Sequence, residues 1–351
     1  MATTTDNLSF TSYTKQVQRT IRSDTARNAS FDEIPLISLK APHDQLLAQL
    51  TDACTRVGFF YVKDHDVPEE KIDAIFGVAE KFFAQEKEVK NKINYKQSKI
   101  LRGYEPPAEV RTDETRKPDV NEAFNWGYAR ELDPEASGSS YEEDTSDNPM
   151  SGPNVWPDLP GFKPVVADYY GEILTLARRM VTLFAQVLKL PSSYFDELVS
   201  TPGAMGRLIH YPPQKASDPD ALGIGAHTDI ELFTILAPGT VPALQILNSS
   251  GEWIQAPPIP GTFVVNIGDM LAMWTNDYFV STVHRVWNVT GKERISVPFF
   301  FGANYNVMIR TLEGCLGDGG VSKYEPVLAG DYVWKRLSAS RVDQAELRAA
   351  Q

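Results

Sequence analysis

The sequence predicts a mainly β protein with flanking helices, a double-sheet sandwich of jelly-roll type with helices packed on one sheet. Three observations carry this. From position 205 onward, short β-rich runs alternate with Pro, Gly and Asn turns. Before that position, apolar residues recur at helical spacing in three stretches. The chain has 351 residues, 42% of them hydrophobic and 11% aromatic, enough to bury a sizeable core.

Taken in order, residues 1–32 are polar and aperiodic and read as a loose or wrapping arm. Ile34-Pro35-Leu36-Ile37 opens the ordered part, a helical and strand region over 33–128. Leu46, Leu47, Leu50, Ala53, Cys54 and Val57 place a helix over 42–57, ended by Gly58. Phe59-Phe60-Tyr61-Val62 reads as a buried strand, and Val67-Pro68-Glu69-Glu70 starts a helix over 68–86. Residues 129–152 hold seven Asp and Glu among Ser, Gly and Pro, with little that can pack, and predict an acidic surface loop. The core unit runs over 153–338. It begins with an amphipathic helix over 162–189, which stops before Pro191. Strands follow at 205–211, 232–236, 243–247, 253–255, 262–267, 280–287 and 294–305, then a helix over 322–338 and a tail, 339–351.

Composition excludes several classes. The formal net charge is −12 and no basic patch stands out, which argues against nucleic acid as a partner. Cys54 and Cys315 lie outside any CxxC, so neither a disulfide framework nor a zinc cluster is expected. The opening MATTTDNLSF has no apolar h-region, and there is no apolar run of about 18 residues, so no secretory leader and no membrane span is expected. A cytoplasmic, reducing location follows, and the sequons at Asn28, Asn248 and Asn288 are read as chance. The oligomeric state is not legible in the sequence.

Chemistry concentrates in a few positions. In Gly225-Ala226-His227-Thr228-Asp229, at the start of an apolar β run, residues i and i+2 would share one strand face. An imidazole and a carboxylate would then project side by side. His284, in the β run Ser281-Thr282-Val283-His284-Arg285-Val286, can return beside them. Two histidines and one carboxylate with opposite positions open form the facial triad of non-haem Fe(II) oxygenases; catalytic zinc also accepts such a set. Arg294-Ile295-Ser296 again places two polar groups on one face, ahead of the apolar Val297-Pro298-Phe299-Phe300-Phe301. An Arg in so apolar a strand faces inward and needs a partner, which a bound dicarboxylate would supply as a planar fork. The Tyr211 hydroxyl could donate to the same carboxylate or pack as a core aromatic at a strand end. His210 reads as structural, and His43 and His65 carry no assigned role. Arg102, Tyr104, Asn125, Glu231, Phe233 and Phe301 lie in segments that could face the open side of the metal and contact substrate.

With these residues in hand, the chain resembles the isopenicillin N synthase-like branch of the Fe(II)/2-oxoglutarate dioxygenases over roughly residues 33–338. The resemblance rests on IPLISL, GFFYVKDHDVP, RGYEPP, DVNEAFNWG and PNVWPDLPGF in the first half. LIHYPP, GIGAHTDIELFTIL, LQIL, VVNIGDMLAMWTND, STVHRV and RISVPFF follow in the family's order. It implies a distorted double-stranded β-helix core (jelly roll, cupin-like) with iron on His227, Asp229 and His284. It further implies 2-oxoglutarate chelating that iron, its distal carboxylate on Arg294 and Ser296 with Tyr211 assisting. The expected activity is oxidation of a C–H bond of a small organic metabolite with O2: hydroxylation, desaturation or ring-forming and rearranging oxidation. Succinate and CO2 would be the co-products, and the branch points to secondary metabolism. The alternatives are an O2-dependent oxidase of the isopenicillin N synthase kind that needs no 2-oxoglutarate, and a non-catalytic ligand-binding member of the fold.

Overall fold

The computed structural model describes residues 6–12, 15–136, 150–214, 222–317 and 319–342. Of the acidic loop, 137–149 lie outside the described residues, as do 1–5, 13–14 and 343–351 of the two ends.

The strands are β1 (Asp6–Ser12), β2 (Lys15–Ile21), β3 (Ser23–Asn28), β4 (Leu36–Ser38), β5 (Phe59–Lys63), β6 (Gly103–Glu105), β7 (Glu122–Gly127) and β8 (Met205–Tyr211). They continue as β9 (Ile224–His227), β10 (Phe233–Ala237), β11 (Leu244–Leu247), β12 (Glu252–Gln255), β13 (Phe263–Ile267), β14 (His284–Val286), β15 (Arg294–Phe301), β16 (Met308–Ile309) and β17 (Val327–Leu328). The α-helices are α1 (His43–Asp52), α2 (Glu69–Phe83), α3 (Lys87–Lys90), α4 (Phe162–Val187), α5 (Asp269–Trp274) and α6 (Ala329–Ala339). Among the described residues, an eight-stranded sheet runs β4-β5-β13-β10-β15-β8-β7-β6, and a five-stranded sheet runs β3-β12-β11-β14-β9. These are the two faces of a double-stranded β-helix, as expected.

The helices lie on the outer face of the larger sheet because that face carries its large apolar residues. Phe124, Leu208, Phe233, Val265, Phe299 and Phe301 are all buried there against Phe82, Phe162, Tyr170, Ile173 and Phe184 of α2 and α4. Phe82 meets the rings of Phe83, Tyr104, Phe124 and Phe162. Burying one such ring stabilises by about 1.5–3 kcal/mol. At about 1.5 Å rise per residue, the 26 residues of α4 are long enough to brace several strands. The other face of the larger sheet points at the smaller sheet and lines the cavity described below.

Several expectations need correction. Of the two readings of the arm, wrapping holds and loose does not: β1 and β2 pair antiparallel, and β3 pairs with β12 as the edge of the smaller sheet. Leu8 and Ile21 are buried against Ala226, Leu247, Trp253 and Val283. Alternation along a strand explains the choice of partners, since Ala226 and Val283 turn outward where His227 and His284 turn inward. The helix expected over 42–57 is α1 followed by a π-helical turn at Ala53–Val57. The strand expected over 280–287 shrinks to β14. The last helix starts only at Ala329, because Pro326 holds Glu325 extended and β17 pairs with β16 first. Sequence reading missed β6 and β7, whose polar Glu105, Glu122 and Asn125 are buried and break the apolar signature.

Glu122 shows how that buried polarity is satisfied. Its carboxylate accepts from Lys90 Nζ (2.7 Å) and Tyr104 Oη (2.6 Å) and faces His210 Nδ1 (2.9 Å). Burial would raise its pKa, but the bonds from His210, Lys90 and Tyr104 prevail and bring it down from 4.5 to about 2. A carboxyl with a depressed folded pKa stabilises the fold above its unfolded pKa, and that contribution drains away between about pH 4.5 and about pH 2. Glu122→Ala, which strands the buried Lys90, is expected to cost about 3 kcal/mol or more in urea unfolding at neutral pH. The difference from wild type should shrink as the pH falls through that window.

Candidate metal and cosubstrate site

The inner faces of the two sheets enclose a cavity that holds His227, Asp229, His284, Arg294, Ser296 and Tyr211. The smaller sheet contributes His227, the last residue of β9, and His284, the first of β14, paired directly across the ladder. Asp229 does not share a strand face with His227 as expected; it lies in the turn after β9. That turn is held by α5, whose Asp269 N–H donates to the Asp229 carbonyl at 2.8 Å. The result is nevertheless convergent. One ligating atom each from His227, Asp229 and His284 falls within 4.8 Å of the others. Both Nε2 atoms stand 3.6 Å from Asp229 Oδ1.

The orientation of each group has a visible cause. His227 Nδ1 lies 2.8 Å from the Gly225 carbonyl, and His284 Nδ1 lies 3.2 Å from the Thr282 carbonyl. Tied at Nδ1, each ring presents Nε2 to the shared point. Asp229 Oδ2 accepts from Thr234 Oγ1 (2.5 Å) and Asn266 Nδ2 (2.7 Å), which leaves Oδ1 toward the imidazoles. Burial alone would raise the Asp229 pKa; His284, His227 and the Asn266 amide overcome it and hold the carboxyl well below the usual range. Burial and the neighbouring His227 bring His284 down to about 4, so it is a neutral imidazole, the form that binds metal. Two imidazoles and one ionised carboxylate, His227 partly exposed and Asp229 and His284 buried, all aimed at one point, fit a divalent ion.

Across the cavity, the larger sheet carries Arg294 and Ser296 on β15 and Tyr211 on β8, with Arg294 directly opposite Tyr211 in the ladder. Here the expected sharing of a face holds. Arg294 Nη1 donates to Ser296 Oγ at 3.3 Å, Ser296 Oγ to Tyr211 Oη at 3.5 Å, and the guanidinium lies 4.7 Å from the Tyr211 ring centre. Arg294 is 3% exposed. Apart from a bond to the Val241 carbonyl its contacts are neutral, and among the described residues no carboxylate pairs with it. A buried guanidinium without a counter-ion, facing the cavity, fits an anionic guest.

Of the candidate substrate residues, Arg102, Asn125 and Glu231 line the cavity. Tyr104, Phe233 and Phe301 do not. The Tyr104 hydroxyl is committed to Glu122, while Phe233 packs against Phe301 with tilted rings and meets Phe184 of α4 edge-on. The period-2 alternation decides this: Thr234 and Phe300, their chain neighbours, face the cavity instead. Phe59, Leu236, Leu244, Val286 and Pro298 complete an apolar wall, joined by Arg336, Leu337 and Ala339 of α6 and by Ser340 and Arg341 just after it. His210 stacks on Phe83 and faces Glu122, the structural role expected.

Three supporting residues escaped sequence reasoning. Thr234 and Asn266 hold Asp229. Asp269, fully buried, accepts from Thr228 Oγ1 (3.1 Å), Ser281 Oγ (2.8 Å) and Arg336 Nη1 (2.7 Å), tying the turn after β9 to α6. The available signal was a polar Asn and Asp inside the apolar run Val264-Val265-Asn266-Ile267-Gly268-Asp269-Met270. Asn266→Ala combined with Thr234→Val is expected to weaken Fe(II) affinity about 10- to 100-fold by freeing Asp229 to rotate. An anaerobic Fe(II) titration reads this, and unchanged affinity would remove the holding role.

Comparison with known proteins agrees with this geometry. The N-terminal model of non-haem dioxygenases in morphine synthesis matches residues 34–159, and the 2OG-Fe(II) oxygenase superfamily model matches residues 202–303. The chain is 36% identical over 343 residues to the 2-oxoglutarate-Fe(II) type oxidoreductase ppzC of Metarhizium majus, covering 92% of this chain and 91% of that one. It is 36% identical over 303 residues to a homoarginine-6-hydroxylase of Oryza sativa, covering 84% and 88%. In structure it resembles a full-length Neurospora crassa protein in complex with alpha-KG, with a TM-score of 0.76 at 27% identity, over 89% of this chain and 98% of that one. The chain belongs to the 2-oxoglutarate–Fe(II) oxygenase family, non-haem iron enzymes that use Fe(II), 2-oxoglutarate and O2 to oxidise small metabolites.

Proposed function

We propose that His227, Asp229 and His284 hold the Fe(II), and that Arg294, Ser296 and Tyr211 hold the distal carboxylate of 2-oxoglutarate. The observation that carries this reading is Arg294. A guanidinium this buried, with neutral neighbours and no carboxylate partner, stands on the sheet that faces the two histidines. Iron and 2-oxoglutarate, once bound, supply the oxidising power, with succinate and CO2 released as the substrate C–H bond is attacked. The chain's own part is positioning. Asn266 and Thr234 fix Asp229, Tyr211 and Ser296 flank the Arg294 fork, and Phe59, Leu244, Val286 and Phe300 keep water from the reacting centre. Arg102, Asn125 and Glu231 stand on the substrate side.

In this reading residues 33–128 supply the β6–β7 wall of the cavity, and residues 153–338 supply the iron and cosubstrate groups. The protein works in the cytoplasm on a small molecule, without nucleic acid or membrane. The acidic charge of −12 and the free thiols of Cys54 and Cys315 support that setting, and among the described residues no helix is long and apolar enough to cross a membrane. The test is an anaerobic titration of the protein with Fe(II) and then 2-oxoglutarate, followed by the weak visible metal-to-ligand charge-transfer band. One equivalent of each should saturate the band, and succinate should then form on adding O2 and substrate. Oxygen uptake without succinate would instead identify the oxidase chemistry.

A further inference from the structure

We propose that Arg102 and Glu231 form a two-point substrate subsite, selecting a small molecule that presents N–H donors beside a carbonyl or carboxylate oxygen. An amino acid or a primary amide has this pattern; a hydrocarbon or a nitrogen-free acid does not. The inference rests on the iron-site reading above and adds the class of substrate to it.

Both side chains line the same cavity as His227, Asp229 and His284. Glu231 follows Asp229 by two positions, and its carboxyl is near enough for the Asp229 charge to act on it. It is 1% exposed, and neither carboxyl oxygen has a hydrogen-bond partner among the described residues. Arg102 is 4% exposed; its Nε is likewise unpartnered, the group it bonds, Tyr305, is a neutral phenol, and no described carboxylate lies within ion-pair distance of it. The two do not satisfy each other, although Arg102 is near enough for its charge to act on Glu231.

The backbone is shaped to seat both groups. A Cβ on Gly302 would stand 1.7 Å from Glu231 Oε2, and a Cβ on Gly127 would stand 2.0 Å from Arg102 Nη2. Only glycine at those two positions leaves room for the carboxyl and the guanidinium where they are. Space has been kept for two ionisable groups to which the described residues give no ion-pair partner.

The chemistry of the missing partners follows. The two open oxygens of Glu231 are matched by a guest that brings two or more N–H donors, such as an ammonium, guanidinium or primary amide; a single hydroxyl fills one oxygen only. A guanidinium donates, and is matched by a carbonyl or carboxylate oxygen. A guest lacking either group would leave a buried polar side chain unpaired, the circumstance in which a site rejects an analogue most strongly.

The experiment uses the full-length protein with Fe(II) and 2-oxoglutarate under anaerobic conditions. The probes are L-arginine, L-leucine, cyclo(Gly-Leu) and thymine, against 4-methylpentanoic acid and 2-hydroxy-4-methylpentanoic acid. Binding is read by calorimetry and by the shift of the charge-transfer band. At least one nitrogen-bearing probe is expected to bind about tenfold or more tightly than both nitrogen-free acids. Glu231→Gln should weaken that probe about tenfold, with 2-oxoglutarate affinity held within about twofold. Arg102→Met should weaken it similarly. If Glu231→Gln fails to develop the band, Glu231→Asp is read in its place. Equal binding of the nitrogen-free acids, no binding by any nitrogen-bearing probe, or an unchanged dissociation constant in both variants overturns the subsite while the band leaves the iron site standing. Absence of the band in the wild-type protein overturns the iron site itself, and the subsite with it.

Discussion

Asp229→Ala and His227→Ala are each expected to reduce iron-dependent succinate formation to background. The reason is electrostatic as much as geometric. Asp229 is the carboxylate of the proposed triad, held ionised by His284 and His227 and aimed by Thr234 and Asn266. Its loss removes both a ligand atom and the charge that partly neutralises a divalent ion. It also leaves two buried donors, on Thr234 and Asn266, without their acceptor, which costs about 1–3 kcal/mol of stability. His227→Ala leaves that pair intact, so it should lose iron with a smaller change in Tm. Comparing the two separates metal loss from unfolding. Full turnover by either variant would refute the ligand assignment.

Arg294→Leu is expected to raise the 2-oxoglutarate dissociation constant roughly a hundredfold, since truncating one partner of a buried charge pair typically costs about 2–5 kcal/mol. Fe(II) affinity in the absence of 2-oxoglutarate should not change, because the contacts of Arg294 are Val241, Ser296 and Tyr211 rather than the triad. The variant without cosubstrate should melt no lower than wild type, since an unpaired buried cation has been replaced by an apolar side chain. Arg294→Lys keeps the charge but loses the planar fork, and its affinity should fall between the two. An unchanged cosubstrate affinity in Arg294→Leu, read by the charge-transfer titration, would count against the role.

Much of the site was legible because its chemistry is carried by rare residue types in short patterns. Histidine occurs five times in the chain, and two of those histidines meet across β9 and β14. The Arg294–Ser296 pair was readable because the strand is regular: i and i+2 share a face, and both side chains are buried at the cavity. The same rule misplaced Asp229. The strand ends at His227, and a turn pinned by the Asp269 N–H delivers the carboxylate, an arrangement no local pattern announces. Among substrate candidates, apolarity misled. Phe233 and Phe301 are the residues of their strands that turn away from the cavity, whereas Phe300 turns in.

The split has a physical basis. Hydrophobic periodicity and the placement of Gly and Pro are local quantities, so α2, α4 and most strands from β8 to β15 could be read from the chain, along with the family they belong to. Buried polar residues behave differently, because their burial is stable only when partners distant in sequence satisfy them. Glu122 needs Lys90, Tyr104 and His210; Asp229 needs Thr234 and Asn266; Asp269 needs Ser281 and Arg336. Which charged side chain braces a wall and which, like Arg102 and Glu231, is left facing the cavity was decided by tertiary packing.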